Sequence, residues 1–356
     1  MKKTIITIIY KYKEAKRLIQ LNDNYLKPGI YMIDVLNDSA KKINTNFDVK
    51  YKYNPKGYQM KEYSFYKKFI GPLFFKFISI FFLTKVEGEK PMFSGQYILF
   101  CRNKKFISFD LEKKKILIKY TTKEGYRNAI SNYCKFAKHF ELPKISYKDK
   151  RNLLYVEEYI SNSNLTLDAK KTSALYERLI EDYMSYVLNN NSIAEMYNVI
   201  ALINNFRISE LQKQQMLNYI ENNDMANIDI PYIEGHGDFS FKNVIVSKNR
   251  PYIIDWDLQG SYSIYYDLFY FLYSEIKYKN SYMLVEKYLK GDYDLFFKEL
   301  FQNYNVPYSK DQRLFYFKLF IFEYISNREF NTIEKQQCIN ILKVLEESLN
   351  AATVQG

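Results

Sequence analysis

The sequence predicts an α+β fold in two lobes, a small antiparallel sheet lobe followed by a larger, mainly helical lobe. Three observations carry this. The length, 356 residues, is enough for two packed cores. Three short apolar runs, Tyr97–Cys101, Phe106–Phe109 and Ile116–Tyr120, are separated by the polar segments RNKK and DLEKKK, the pattern of two consecutive tight hairpins. Beyond residue 160, apolar residues recur at helical spacing: Leu175, Leu179, Tyr183 and Val187 in four-residue steps, and Cys338, Leu342 and Leu345 near the end.

Taken in order, residues 1–90 form an N-terminal extension of no assigned role, which either adds to the sheet lobe or builds its own layer. The opening MKKTIITIIY has a basic tip and a short apolar run but turns charged at Lys11–Arg17 without a small-residue cleavage site. It reads as a buried strand rather than a signal peptide. The greasiest stretch, Phe69–Leu83, contains Pro72 and Lys76 and falls short of the roughly 20 residues a membrane span needs. It reads as a core helix starting near Pro72, with an interfacial segment on an anionic membrane as the alternative. The polar stretch Glu87–Pro91 marks a boundary. Residues 91–160 hold the hairpins, a helix over Lys123–Phe140 closed by Pro143, and a strand over Leu153–Ile160 that ends in SNSN. Residues 161–356 read as helical, except that two β-like runs, Val244–Val246 and Tyr252–Ile254, flank the turn Ser247–Pro251.

Composition narrows the class. Apolar residues make 47% and charged residues 26%, which excludes disordered, collagenous and disulfide-scaffold chains. Cys101, Cys134 and Cys338 are scattered without CxxC spacing, which argues against a zinc site and fits a reducing cytoplasm. The net charge of +12 is spread along the chain rather than blocked, and no readable nucleic-acid signature accompanies it, so nucleic acid ranks low as a partner. Peripheral contact with an anionic membrane is the second reading of the charge.

The chemistry concentrates in GHGDFSFKNVIVSKNRPYIIDWD. Asp238 is followed five residues on by Asn243, and twelve further on by Asp255. A loop entering a hairpin can bring the three together. A carboxylate beside a second carboxylate and an amide oxygen makes a hard-oxygen site suited to Mg²⁺. Phosphoryl transfer needs such a set, with a metal to neutralise phosphates and a carboxylate to position the nucleophile.

This segment resembles the catalytic core of the aminoglycoside phosphotransferase and choline kinase-like family. The matching residues are His236-Gly-Asp238, Asn243, Ile254-Asp255-Trp256 and Tyr266-Asp267-Leu268. The resemblance covers roughly Gly95 to Ser274. It implies a two-lobed protein-kinase-like fold and an ATP- and Mg-dependent phosphotransferase acting on a hydroxyl of a small molecule or saccharide, with ATP between the lobes. It implies that Asp238 orients or deprotonates the acceptor hydroxyl and that Asn243 and Asp255 hold Mg²⁺. His236 would accompany Asp238 in the catalytic loop, bonding its backbone, and Asp267 would brace that loop. Asp257 either joins the metal shell or faces solvent. Lys119, on the strand Ile116–Tyr120, is the candidate nucleotide lysine, the other reading being a snorkelling edge lysine. Its expected partner, a glutamate in the following helix, is missing from Ala129–Lys135, and Glu124 stands early. Arg102 and Lys104, in the loop Arg102–Lys105, either contact phosphates or form an ordinary turn. Glu158 and Tyr159 fall in the segment whose backbone would meet adenine. Two alternatives stand beside this: a nucleotide-binding scaffold without turnover, and a membrane-surface glycan or lipid-head-group kinase. The basic balance fits an anionic sugar or lipid-linked saccharide better than a cationic acceptor.

Overall fold

A computed structural model describes residues 2–35, 38–43, 83–87, 93–101, 105–160, 168–189, 194–247 and 250–354. The chain divides into two compact units, Met1–Leu165 with Val244–Ile254, and Thr166–Asn243 with Asp255–Gly356.

The first unit is built on one eight-stranded antiparallel sheet. Its strands are β1 (Gly29–Asp34), β2 (Ser39–Lys42), β3 (Leu83–Val86), β4 (Tyr97–Cys101), β5 (Lys105–Asp110), β6 (Lys115–Tyr120), β7 (Ile145–Asp149) and β8 (Leu154–Glu158). They lie in the order β3-β1-β2-β4-β5-β6-β8-β7. Both expected hairpins are present, with Leu99 opposite Ile107 and Ile107 opposite Ile118. Strands β1–β3 extend the same sheet, so this part of the N-terminal region adds to it rather than forming a layer of its own.

The opening residues correct the sequence reading. They begin a helix, α1 (Lys2–Leu21), not a strand. The β-branched run ITII favours a strand locally, but propensity is a weak prior. Tyr12, Ala15 and Ile19 recur at helical steps, and they pack with Tyr31, Ile33, Ile98, Phe106 and Leu117 of the sheet. The other sheet face carries Leu99, Ile107, Phe109, Ile118 and Tyr120 against Tyr126, Ala129 and Ile130 of α2 (Lys123–Phe136). Thr122 caps α2 by accepting from the Gly125 amide, and the helix stops at Phe136, four residues before its expected end. The hairpin β11 (Val244–Ser247) and β12 (Arg250–Ile253) belongs to this unit, where the Ile253 amide donates to the Glu141 carbonyl at 2.9 Å. Of the stretch Phe69–Leu83, only Leu83 is among the described residues. No helix among the described residues is long and apolar enough to cross a membrane.

The second unit is helical around a small sheet. Its helices are α3 (Ala169–Leu188), α4 (Val199–Asn205), α5 (Glu210–Asn222), α6 (Tyr266–Lys279), α7 (Met283–Lys290), α8 (Asp294–Gln302), α9 (Arg313–Ser326) and α10 (Thr332–Val354). Leu175, Leu179, Tyr183 and Val187 are all buried, as their spacing predicts. Strands β9 (Glu195–Asn198), β10 (Asp229–Gly235) and β13 (Gly260–Ser263) form a three-stranded sheet that the sequence reading did not contain. Strands β9 and β13 have four residues each, and β9 has three exposed residues of its four, so no alternating apolar signal marks it.

The core of this unit is largely aromatic. The Phe269 ring contacts those of Tyr288, Phe297, Phe317 and Phe320 at 4.9–6.0 Å between centroids. Edge-to-face and offset arrangements suit the ring quadrupoles. Two polar pairs sit within it, with Arg313, Glu323 and Ser263 buried. Arg313 donates to Asp294 and to the Leu289 carbonyl, and Glu323 accepts from the Ser263 amide at 3.1 Å and its hydroxyl at 2.7 Å. Burial pushes the Glu323 carboxyl up to about 7.

A carboxyl raised on folding contributes stability at low pH that is lost as pH climbs through its folded value. Glu323 therefore favours the fold below its ordinary value of 4.5 and loses that contribution by about pH 7. Relative to Glu323→Gln, the wild type is expected to lose melting temperature between pH 5 and 8. A constant difference in parallel thermal melts across that range would refute the assignment.

Candidate active site

The loop His236–Asn243 joins β10 to β11, and its shape is set from α6. The Asp267 carboxylate, in the first turn of α6, accepts from two consecutive amides, His236 at 2.6 Å and Gly237 at 2.9 Å. Asp267 is 1% exposed. Burial raises its pKa, opposed by the nearby His236 and by the two amide bonds. Such a carboxylate is tolerable because its oxygens are met by donors. Gly237 has φ +72°, and a Cβ there would lie 2.4 Å from the Leu258 carbonyl oxygen. Only glycine satisfies both conditions. His236 is buried, its Nδ1 accepts from the Asp238 amide at 3.2 Å, and its ring packs 4.5 Å from Trp256 and 5.9 Å from Phe239. Its contacts order the loop.

Asp238 stands on this fixed turn. Its Oδ2 accepts from Asn243 Nδ2 at 2.8 Å, and its Oδ1 accepts from the Tyr270 hydroxyl at 2.7 Å. Arg328 lies 3.6 Å from Oδ1 and donates to the Gly237 carbonyl. The side chain of Asp238 keeps 29% of its surface exposed. The structure thus presents a carboxylate with both oxygens oriented by donors yet open to solvent, which is what positioning a hydroxyl requires. Tyr270 and Arg328 did not emerge from the sequence. The signal for Tyr270 is a helix face: Asp267, Tyr270 and Ser274 recur at steps of three and four in α6, and Ser274 accepts from the Phe241 amide at 3.2 Å. Arg328, ninety residues from Asp238 in sequence, leaves no local signal.

Asn243 gives both amide hydrogens to Asp238, one to its carboxylate and one to its backbone carbonyl at 2.8 Å. Its own carbonyl oxygen is the group it can offer a cation. The register pairing Val244 with Ile253 makes the flanking chain leave from neighbouring strand ends, Asn243 before one and Asp255 two residues beyond the other. Asp255 adopts the left-handed conformation, φ 65°, which Asp tolerates better than most residues. Asp257 is exposed on the 3₁₀ turn Trp256–Leu258. Among the described residues no group of three or more His, Cys, Asp or Glu could hold a metal ion. An amide oxygen with one carboxylate, completed by waters and phosphate oxygens, still fits Mg²⁺, which commonly binds through one or two carboxylates.

The residues expected to meet nucleotide lie in the first unit. Lys119 shares the β6 face of Leu117, the face covered by α1, whereas α2 with Glu124 packs on the other. Its ammonium donates to Asn22 Oδ1 at 2.9 Å and lies 5.0 Å from the Tyr25 ring, and burial lowers its pKa. The expected ion pair with a helix glutamate is replaced by a residue of the N-terminal region. Glu158 ends β8 and Tyr159 follows it. Their amides donate to the Lys144 and Lys114 carbonyls at 3.0 and 2.9 Å. Arg102 and Lys104 lie outside the described residues.

No family model matches the chain, and no curated protein matches it. Solved structures do. A choline/ethanolamine kinase family protein from Mesorhizobium loti is similar at 14% identity over 68% of this chain and 85% of its own, with a TM-score of 0.40. A choline kinase from Streptococcus pneumoniae is similar at 14% identity over 77% and 99%, TM-score 0.39. A thermostable mutant of the aminoglycoside phosphotransferase APH(4)-Ia is similar at 12% identity over 68% and 90%, TM-score 0.46.

Replacing Gly237 with Ala is expected to cost about 1–3 kcal/mol, the scale of a residue forced into a sparsely populated backbone region. Asp267→Asn turns one acceptor into a donor facing a buried amide, with an expected loss of about 1–3 kcal/mol. Urea unfolding measures both, and wild-type stability in either variant would show the loop is held otherwise.

Proposed function

We propose that this chain is a small-molecule kinase of the aminoglycoside phosphotransferase and choline kinase-like family, moving the γ-phosphoryl group of ATP to an acceptor hydroxyl. The observation that carries this reading is the Asp238 carboxylate, oriented by Asn243 and Tyr270 and open to solvent. In the reaction the bond from the γ-phosphorus to the bridging oxygen breaks and leaves ADP. The acceptor oxygen forms the new bond to phosphorus, and its proton passes to Asp238. Asp267 and Gly237 hold the loop so that Asp238 needs no rearrangement. Asn243 and Asp255 would hold Mg²⁺, with Asp257 as a further ligand; a bound Mg²⁺ neutralises phosphate charge. Lys119, Arg102, Lys104 and the Glu158-Tyr159 segment are the proposed nucleotide contacts of the first unit.

One observation favours a second reading, a nucleotide-binding scaffold without turnover. The Lys119 ammonium is engaged by Asn22 and set on the sheet face away from α2. Turnover separates the two readings.

With Mg-ATP at a hundredfold over its dissociation constant, the wild type is expected to gain about 2.7 kcal/mol of stability, and Asp255→Ala to lose that magnesium-dependent gain. Asp238→Asn is expected to keep its melting temperature while acceptor-dependent ADP release falls by about 10²–10⁴-fold. Undiminished release from Asp238→Asn would remove Asp238 from the chemistry. Binding of Mg-ATP without release on any acceptor would install the scaffold reading.

A further inference from the structure

The two oxygens of Asp238 face different company. Oδ2 meets Asn243, the proposed cation ligand, while Oδ1 meets Tyr270 and Arg328. On the Oδ1 side the second unit gathers cations on a frame of tyrosine rings. The Arg328 guanidinium lies 5.8 Å from the Tyr270 ring and 5.6 Å from that of Tyr324. The Lys277 ammonium donates to the Tyr324 hydroxyl at 3.0 Å and lies 5.5 Å from the Tyr278 ring. The Lys242 ammonium sits 3.8 Å from the same Tyr278 ring. These contacts chain Arg328, Lys277 and Lys242 together beside the carboxylate. Of the three, Arg328 adjoins Oδ1, the oxygen that does not meet Asn243.

Among the described residues the cations outnumber the acids there. Apart from Asp238, Glu334 acts on Lys277, and one Glu334 oxygen is taken by the Asn331 amide at the start of α10. Burial lowers the pKa of Lys277, with Arg328 adding to the effect. Positive charges that depress one another are relieved by an anion placed among them. Lys277 is exposed and Lys242 and Arg328 are partly exposed, so a ligand can reach all three. A cationic acceptor would meet like charge on this side.

Resting on the phosphotransferase reading, we infer that the acceptor carries a negatively charged group, phosphate or carboxylate, beside the hydroxyl that receives the phosphoryl group, and that Lys242, Lys277 and Arg328 hold it. The acceptor is then an acidic or already phosphorylated sugar or polyol. Neutral and cationic alcohols are discriminated against by the same three side chains.

The test is calorimetric titration of the full chain with ribose 5-phosphate, glucuronate, ribose, glucose, choline and kanamycin, each with and without AMP-PNP and Mg²⁺. At least one anionic probe is expected to bind tenfold or more tightly than its neutral counterpart, which tells phosphate from carboxylate recognition. Lys277→Gln and Lys242→Gln, which leave the loop anchor Arg328 in place, are each expected to weaken that probe several-fold while leaving AMP-PNP unchanged. Three outcomes overturn the inference: anionic probes bind no better than neutral ones or not at all, choline or kanamycin binds best, or the lysine variants weaken AMP-PNP instead. The phosphotransferase reading is judged separately, by acceptor-dependent ADP release and its loss in Asp238→Asn. Release with a neutral or cationic acceptor would leave that reading standing while the anionic acceptor falls.

Discussion

A single buried carboxylate bonded to two successive amides governs the site. Asp267 is fully enclosed, and its ionised form is tolerable only while the His236 and Gly237 amides point at it. That demand fixes the backbone of two residues at once and turns Gly237 into the left-handed region. The turn then aims Asp238 outward and directs its amide at the His236 ring. Every contact that orients the Asp238 carboxylate presupposes this geometry. A loop held by apolar packing alone would place its backbone far less sharply, because dispersion has no direction whereas a hydrogen bond does.

The helix that supplies Asp267 also supplies the core. In α6, Asp267, Tyr270 and Ser274 face the loop, while Phe269 lies within the aromatic cluster shared with α7, α8 and α9. The site is therefore mounted on a rigid element whose rotation is locked by packing on its other side. The same tyrosines serve two ends. Tyr270 and Tyr324 stack into the core and present their rings and hydroxyls to Asp238, Lys277 and Arg328. An aromatic residue suits this position because one end is apolar and the other polar.

In the first unit, the two faces of one sheet settle what the sequence left open. Strand alternation places Leu117 and Lys119 toward α1, and Ile116, Ile118 and Tyr120 toward α2. Lys119 therefore finds Asn22 and Tyr25, residues that precede it by about a hundred positions, instead of an acid in the adjoining helix. The N-terminal region joins the structure by covering this face and adding three strands to one edge.

The sequence alone determined the features whose causes are local. The hairpins β4–β5–β6 and β11–β12 follow from apolar runs broken by polar turns. The buried stripe of α3 follows from its four-residue period, and the HGD, Asn and IDW positions stand together because a hairpin returns the chain. Only the tertiary structure decided the rest, because the causes are distant in sequence. The opening MKKTIITIIY became a helix since a sheet face received Tyr12, Ala15 and Ile19, against the strand preference of its β-branched residues. The polar strands β9 and β13 formed by pairing with the two edges of β10, which no amphipathic pattern of their own announces. Arg328 reached Asp238 across ninety residues, and Lys277 and Lys242 met on a shared tyrosine ring. A sequence records residue types and spacings along the chain. The electrostatic company of a carboxylate is set by what the packed elements bring within a few ångströms of it.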